Sequence, residues 1–398
     1  MTRVQNDILQ ALDNDGAAIL ILLDLSAAFD TIDHDILLHT LETHMMVSGQ
    51  ALQWFRSYLS DRTQSVCVQG AFSEKKSLNC GVPQGSVFGP ILFSSYIQPL
   101  GKIISNTTLS YMLYADDSQL YISFKPNDPT SLCNVITAIT SCVAHIRDWM
   151  SRHFLKLNDD KTEILVITTP ALAHSVSISS LNLAGTEVQT VNSLRDLGIT
   201  LDSRLQLQQH VKNIAKSAFY QLYRIARIRK YINQDAAKSL VHALVLSRID
   251  YCNIALYGLP HCLIQKLQRV QNHAARLICG THKLDHVSPV LQSLHWLPIK
   301  ERLIYKMLLL AFKVLQGQAP KYLCDLLKPY IPPRMLRSST QGLLEEPGFR
   351  LNTYGARSFQ CAAPRLWNSL PIHIRTVSSL ALFKRHLKTF LFRKAYNL

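Results

Sequence analysis

Residues 114–121 read YADDSQLY, two adjacent aspartates set among apolar and aromatic residues. Alternating apolar positions over 109–124, on both sides of Asp116 and Asp117, predict a β-hairpin with the acidic pair at its turn. Adjacent carboxylates repel, and burial disfavours their charged forms, so a compensating positive charge is expected nearby. No Lys or Arg occurs between Ser105 and Lys125. The charge has to come from another part of the fold or from a metal ion. Taken alone, the pair favours the plainer reading of a polar hairpin turn, where Asp is common.

Upstream, the apolar run 17–25 predicts a buried strand that ends around Asp24. If that strand neighbours the hairpin in one sheet, Asp24 and Asp116 converge at the sheet edge. Such a cluster binds hard divalent cations through oxygen, Mg2+ above all where phosphates complete the shell. Two metals held there serve phosphoryl transfer. Helices are predicted over 33–43, 49–60 and 86–97, the last capped by Ser86. Two short strands are expected around Gly70, and a loop at 81–85. Beyond the hairpin the pattern gives a long amphipathic helix over 131–154 and strands at 162–168 and 181–188. Past Asp202 it turns helical, with Leu207, Val211, Ile214, Ala218, Leu222 and Ile225 on one face. A proline-rich stretch from Pro320 to Pro333 precedes a last unit that ends in a helix over 379–395. No internal repeat or low-complexity tract is present.

Composition bounds the function. The chain has 398 residues, 47% of them hydrophobic, enough for two or three domains and unlike a disordered protein. The apolar run 17–23 is too short to span a bilayer. The polar opening, with Asp7, Asp13 and Asp15, carries no secretory signal. Nine scattered cysteines then read as reduced thiols of the cytosol or nucleus. The net charge of +15 is unevenly placed: residues 1–200 carry −7 and residues 201–398 carry +22. An acidic half suggests a cation site, and a basic half suggests a polyanion such as nucleic acid.

Three stretches occur in order with the spacing of a polymerase palm: LLDLSAAFDTIDH (22–34), GVPQGSVFGPILF (81–93) and YADDSQLY. Together they resemble the reverse transcriptase of a non-LTR, LINE-type retrotransposon of the Jockey-like kind. LKLNDDKTEIL (155–165) and LRDLGITLD (194–202) are similar to the next two blocks of that family. GLPHCLIQKLQRVQNHAARLICG (258–280) and RSFQCAAPRLWNSLP (357–371) resemble the region after its polymerase domain. The resemblance covers essentially the whole chain.

The resemblance implies an α+β fold. A palm of antiparallel sheet with packed helices (1–202) is followed by a helical thumb (203–280) and a mostly helical, basic C-terminal domain (281–398). It implies RNA-directed DNA synthesis on an RNA template and DNA primer from deoxynucleoside triphosphates. Two Mg2+ ions, or Mn2+, would be held by Asp24, Asp116 and Asp117, with the carbonyl of Leu25 as a further ligand. Phe29 would lie under the incoming sugar and exclude a 2′-hydroxyl; Pro83, Gln84 and Gly85 would lie against template and new base pair. Lys161 would protonate the departing pyrophosphate. Ser118, Phe88 and Asp159 stand where the family often has Thr, Leu and Pro. A nuclear and cytoplasmic location with no membrane partner is implied.

Several features stay outside the motif. Asp30, Asp33 and Asp35 beside His34 read as helix-start residues rather than a second metal cluster. Cys252, Cys262, His273, Cys279, His282 and His286 lack paired zinc-ligand spacing. On the helix after Asp202, Lys212, Lys216, Arg227 and Lys230 are left for phosphates. Only 23 residues precede Asp24, with Arg3 their sole basic residue, so the chain reads as part of a longer protein without its fingers region. The alternative to a polymerase is therefore a truncated, catalytically dead product that only binds nucleic acid.

Overall fold

The computed structural model describes residues 1–26, 28–332 and 341–398. Pro333, the end of the proline-rich stretch, lies outside the described residues. The fold is mixed α+β and divides into two compact units, Gly16–Leu197 and Met1–Asp15 with Gly198–Leu398.

The Gly16–Leu197 unit is built on a six-stranded sheet. Its strand order is Ser110–Tyr114, Asp117–Phe124, Ala17–Ser26, Lys156–Ile167, Thr186–Val191, Ser180–Leu183. Ala17–Ser26 reads AAILILLDLS and is buried on both faces, since it lies antiparallel between Asp117–Phe124 and Lys156–Ile167. A central strand has no solvent face, so its sequence runs apolar instead of alternating. The helix Pro129–Arg152 buries Val135, Ile139, Val143, Ile146 and Met150 in the same core as Ile19, Ile21, Leu120 and Ile164. Among the described residues it is the one helix long and apolar enough to cross a bilayer; here its apolar stripe packs in the core.

Three elements differ from expectation. The helix begins at Gly89, where Ser86 Oγ accepts the Gly89 N–H at 3.0 Å, and continues to Ser105. Pro99 removes one backbone donor. It does not end the helix, because Phe93, Tyr96, Leu100 and Ile104 sustain one buried stripe. The expected strand 181–188 is a hairpin whose turn, Ala184–Gly185, takes positive φ at both residues, the backbone such two-residue turns require. The strand expected from 162 starts at Lys156, and a bulge interrupts its pairing.

The second unit is largely helical and contains both the 203–280 and the 281–398 segments. Met1–Asp15 belongs to it: the helix Thr2–Asp13 buries Val4, Ile8, Leu9 and Leu12. Asp13, 2% exposed, accepts the backbone N–H groups of Arg350 and Leu351. In the same unit, helix Gln208–Ile228 follows a turn in which Asp202 accepts the N–H groups of Arg204, Gln206 and Leu207. None of the nine cysteines is in a disulfide.

Candidate active site

The acidic hairpin forms, with Asp116 in its turn but Asp117, expected there too, already the first residue of the return strand. Tyr114 pairs with Asp117 across the turn Ala115–Asp116, and Ala115 takes φ 52°. Positive φ is costly for a residue with a Cβ, and such strain collects at functional sites. The next pairing aligns Leu23 with Ser118, so one further step along the two strands brings Asp24 to the level of Asp117. Asp117 is solvent-exposed. Partial burial of its carboxyl, with the negative charges of Asp116 and Asp24, still holds its pKa above the ordinary value. The charges of Asp116 and Asp24 are thus felt at Asp117, which puts the three carboxylates in one electrostatic field.

The missing positive charge is supplied in part. Between Asp24↔Asn158 and Leu22↔Glu163 the Lys156–Ile167 strand bulges, and Thr162 Oγ1 donates to Asn158 O at 3.0 Å across the bulge. Bulges re-aim side chains, and here Lys161 Nζ stands 3.2 Å from Asp24 Oδ2. The pair lacks hydrogen-bond geometry, and Asp24 Oδ2 is a buried acceptor with no hydrogen bond. Lys161 is 67% exposed, so solvent screens the attraction. Among the described residues no Lys or Arg pairs with Asp116 or Asp117. Nor do three or more His, Cys, Asp or Glu side chains gather among them into a group that could hold a metal ion. Asp24 Oδ2 without a hydrogen bond, Asp117 with its raised pKa and the carboxylate of Asp116 nevertheless offer hard oxygen donors of the kind that suits Mg2+ or Mn2+. Leu25 stays paired with Leu157 and is buried.

The loop at 81–85 docks on the turn that follows the Asp24 strand. Val82 N–H donates to Phe29 O at 2.9 Å, and Gly81 N–H donates to Ile32 O at 2.8 Å. Gln84 Nε2 donates to Asp30 Oδ1 at 3.0 Å. Gly81 O accepts from His34 Nε2 and Arg62 Nη1. Gln84 and Gly85 are exposed, with Pro83 half-buried beside them. Phe29 is half-buried, its ring centroid 4.8 Å from that of Phe93. The acidic residues around His34 are committed to other roles. Asp33 caps its helix by accepting Ile36 N–H, and Asp30 holds Gln84. Asp159 takes a bidentate Arg147 contact that lowers its pKa.

Behind the hairpin lies a buried pair that sequence reading passes over. Gln119 Nε2 donates to Asp196 Oδ1 at 2.7 Å, and both residues are almost fully buried. Burial, reinforced by the charge of Asp117, raises the Asp196 carboxyl to about 6. Asp196 Oδ2 and Gln119 Oε1 are left without hydrogen-bond partners. In the sequence the only signal is a polar residue at an inward strand position. Lys212, Lys216, Arg227 and Lys230 lie in the other unit, exposed along or just past helix Gln208–Ile228.

A profile of the reverse transcriptase (RNA-dependent DNA polymerase) family matches residues 2–201. The chain is 27% identical over 288 residues to the probable RNA-directed DNA polymerase from transposon BS of Drosophila melanogaster, covering 69% of this chain and 30% of that one. It is 25% identical over 287 residues to the RNA-directed DNA polymerase from mobile element jockey of the same fly, covering 70% and 30%. The chain thus spans about 30% of the length of these curated relatives. Apo telomerase from Candida tropicalis is similar with a TM-score of 0.35 at 10% identity, covering 97% of this chain and 56% of that one. With half of its length inside the family profile and its relatives among fly transposons, the chain belongs to the reverse transcriptases of Jockey-like non-LTR retrotransposons.

Proposed function

We propose that residues 16–197 are a polymerase palm for RNA-templated DNA synthesis, with 203–280 a helical thumb and 281–398 a basic C-terminal domain. The observation that carries this reading is the shared field of Asp24, Asp116 and Asp117 at the meeting of two adjacent strands. In the reaction a primer 3′-hydroxyl gives its proton to solvent water and its oxygen bonds to the α-phosphorus of a deoxynucleoside triphosphate. The bond from that phosphorus to the bridging oxygen breaks, and pyrophosphate leaves. Asp24, Asp116 and Asp117 would hold two Mg2+ ions beside the Leu25 carbonyl. When bound, these ions supply the positive charge that attacking and leaving oxygens need.

The chain's own groups complete the work. Lys161, 3.2 Å from Asp24, balances that carboxylate and is a fitting general acid for the leaving pyrophosphate. Phe29 offers the face under the sugar. Pro83, Gln84 and Gly85, anchored through Asp30 and the 29–32 turn, offer backbone to the template and new base pair. Lys212, Lys216, Arg227 and Lys230 offer cations to an RNA–DNA hybrid. A nuclear and cytoplasmic location accords with this work.

Primer extension on an RNA template with Mg2+ tests the reading. Asp116→Asn is expected to abolish extension, by a factor of about a thousand or more in rate. Hybrid binding should persist, since no phosphate-binding cation is touched. Hybrid binding by the parent chain with no Asp116-dependent extension would establish the alternative, a product that only binds nucleic acid.

A further inference from the structure

The phosphate role proposed for helix Gln208–Ile228 uses its cations and leaves its aromatics unexplained. Lys212, Lys216, Tyr220, Tyr223 and Arg227 recur at steps of four, four, three and four, which places them on one face of a helix. The opposite face, with Val211, Ile214, Ala218, Leu222 and Ile225, is buried. Tyr220 is 60% and Tyr223 65% exposed. A tyrosine ring carries a large apolar area that folding ordinarily covers, so two neighbouring bare rings inside a row of cations ask for a partner. Arg224 lies over the Tyr220 ring at 5.9 Å from its centroid, a contact that favours one ring orientation.

We propose that this face is a stacking platform for single-stranded RNA, with the tyrosine rings under unpaired bases and the flanking lysines and arginine on the phosphates. The proposal rests on the phosphate reading of the same lysines and goes beyond it in the strand state it selects. In a duplex the base faces are already stacked on one another, so bare rings gain nothing from it; unpaired bases offer those faces. From Lys212 to Arg227 the helix rises about 22 Å, a length for several nucleotides. Charge complementarity favours the polyanion over an apolar protein partner, for which Lys212, Lys216, Arg224 and Arg227 would be costly to desolvate.

The full chain is titrated with three probes of equal length: an unstructured single-stranded RNA, the same strand with abasic positions, and a blunt RNA–DNA hybrid. Tyr220→Ala with Tyr223→Ala is expected to weaken single-strand binding by at least about tenfold, given about 5- to 150-fold per stacked base. The abasic strand and the hybrid should lose less than about twofold. The slope of affinity against salt should be unchanged. Tyr220→Phe with Tyr223→Phe keeps the rings and should bind like the parent. Lys212→Ala with Lys216→Ala should instead flatten the salt slope on every probe, by about 0.7 per lost contact on single strands. Equal losses on abasic and base-bearing strands would overturn the platform. A tyrosine effect without a lysine effect would overturn the phosphate reading and uphold the stacking.

Discussion

Beneath the acidic hairpin, the Gln119–Asp196 pair makes the support of strand Asp117–Phe124 dependent on pH. The Asp196 carboxyl is raised from an ordinary 3.8 to about 6, chiefly by burial. Between those values the folded chain keeps a proton that the unfolded chain has lost. Its contribution to stability is therefore full below about pH 4 and is lost as pH rises through 6, by on the order of 3 kcal/mol. Asp196→Asn stays neutral and brings an amide donor toward the unpartnered Gln119 Oε1. Denaturation at pH 4.5 and pH 8 should show the variant about 1–3 kcal/mol more stable than the parent at the higher pH only; an equal difference at both would sink the assignment. Phe29 poses a different question, since its ring already packs on Phe93. If it is also the sugar gate, Phe29→Val should cut the preference for deoxy- over ribonucleotides in primer extension about tenfold or more. Unaltered discrimination would leave the ring a packing residue. Asp24, Asp116 and Asp117 are legible in sequence because charges interrupt apolar runs there. Gln119 and Asp196 are not, because only strand pairing and the chain's return reveal that both are inside.

At the scale of elements, the loop at 81–85 shows how a motif gains its geometry from a distant turn. Gly81 has φ 82°, and a Cβ there would meet Asp30 O at 2.9 Å and Asp30 Cα at 3.1 Å. Both are backbone atoms, so neither can rotate away. Gly81→Ala should therefore lift the loop from the 29–32 turn and cost about 1–3 kcal/mol in strain. Hydrogen exchange should report it as lost protection of the Val82 amide, which Phe29 O now accepts. Retained protection with parental stability would mean that the loop tolerates the contact. The loop, the hairpin and the central strand are readable from Gly placement and apolar alternation. The bulge that delivers Lys161 is not, because Asp159–Asp160–Lys161 carries no local signal of the pairing that it interrupts. The continuation of helix Gly89–Ser105 through Pro99 is equally hidden: local propensity argues for a stop, and core packing overrides it.

At the scale of the whole molecule, the chain's first residues are tied to its last third. Val4, Ile8, Leu9 and Leu12 carry a helical repeat that the polar character of the opening segment conceals. The helix docks on partners from 250 to 354 residues away, beyond the reach of any local pattern. Asn6 accepts the Gln360 N–H at 3.0 Å, Gln10 donates to Ser358 Oγ at 2.7 Å, and Asp13 accepts the Arg350 and Leu351 amides. Gly355 is required beneath that carboxylate, since a Cβ would come within 2.3 Å of Asp13 Cγ. Asp13→Ala removes the acceptor and leaves the Arg350 and Leu351 N–H groups without it, a loss of about 1–3 kcal/mol. Gly355→Ala should act in the same direction by expelling the same side chain. Both effects belong to the Met1–Asp15 and Gly198–Leu398 unit. In either variant, hydrogen exchange should rise over helices Thr2–Asp13 and Phe359–Asn368, while strands Ala17–Ser26 and Asp117–Phe124 keep their protection. If the sheet strands lose protection first, the N-terminal helix supports the acidic site directly, and its assignment to the helical unit fails.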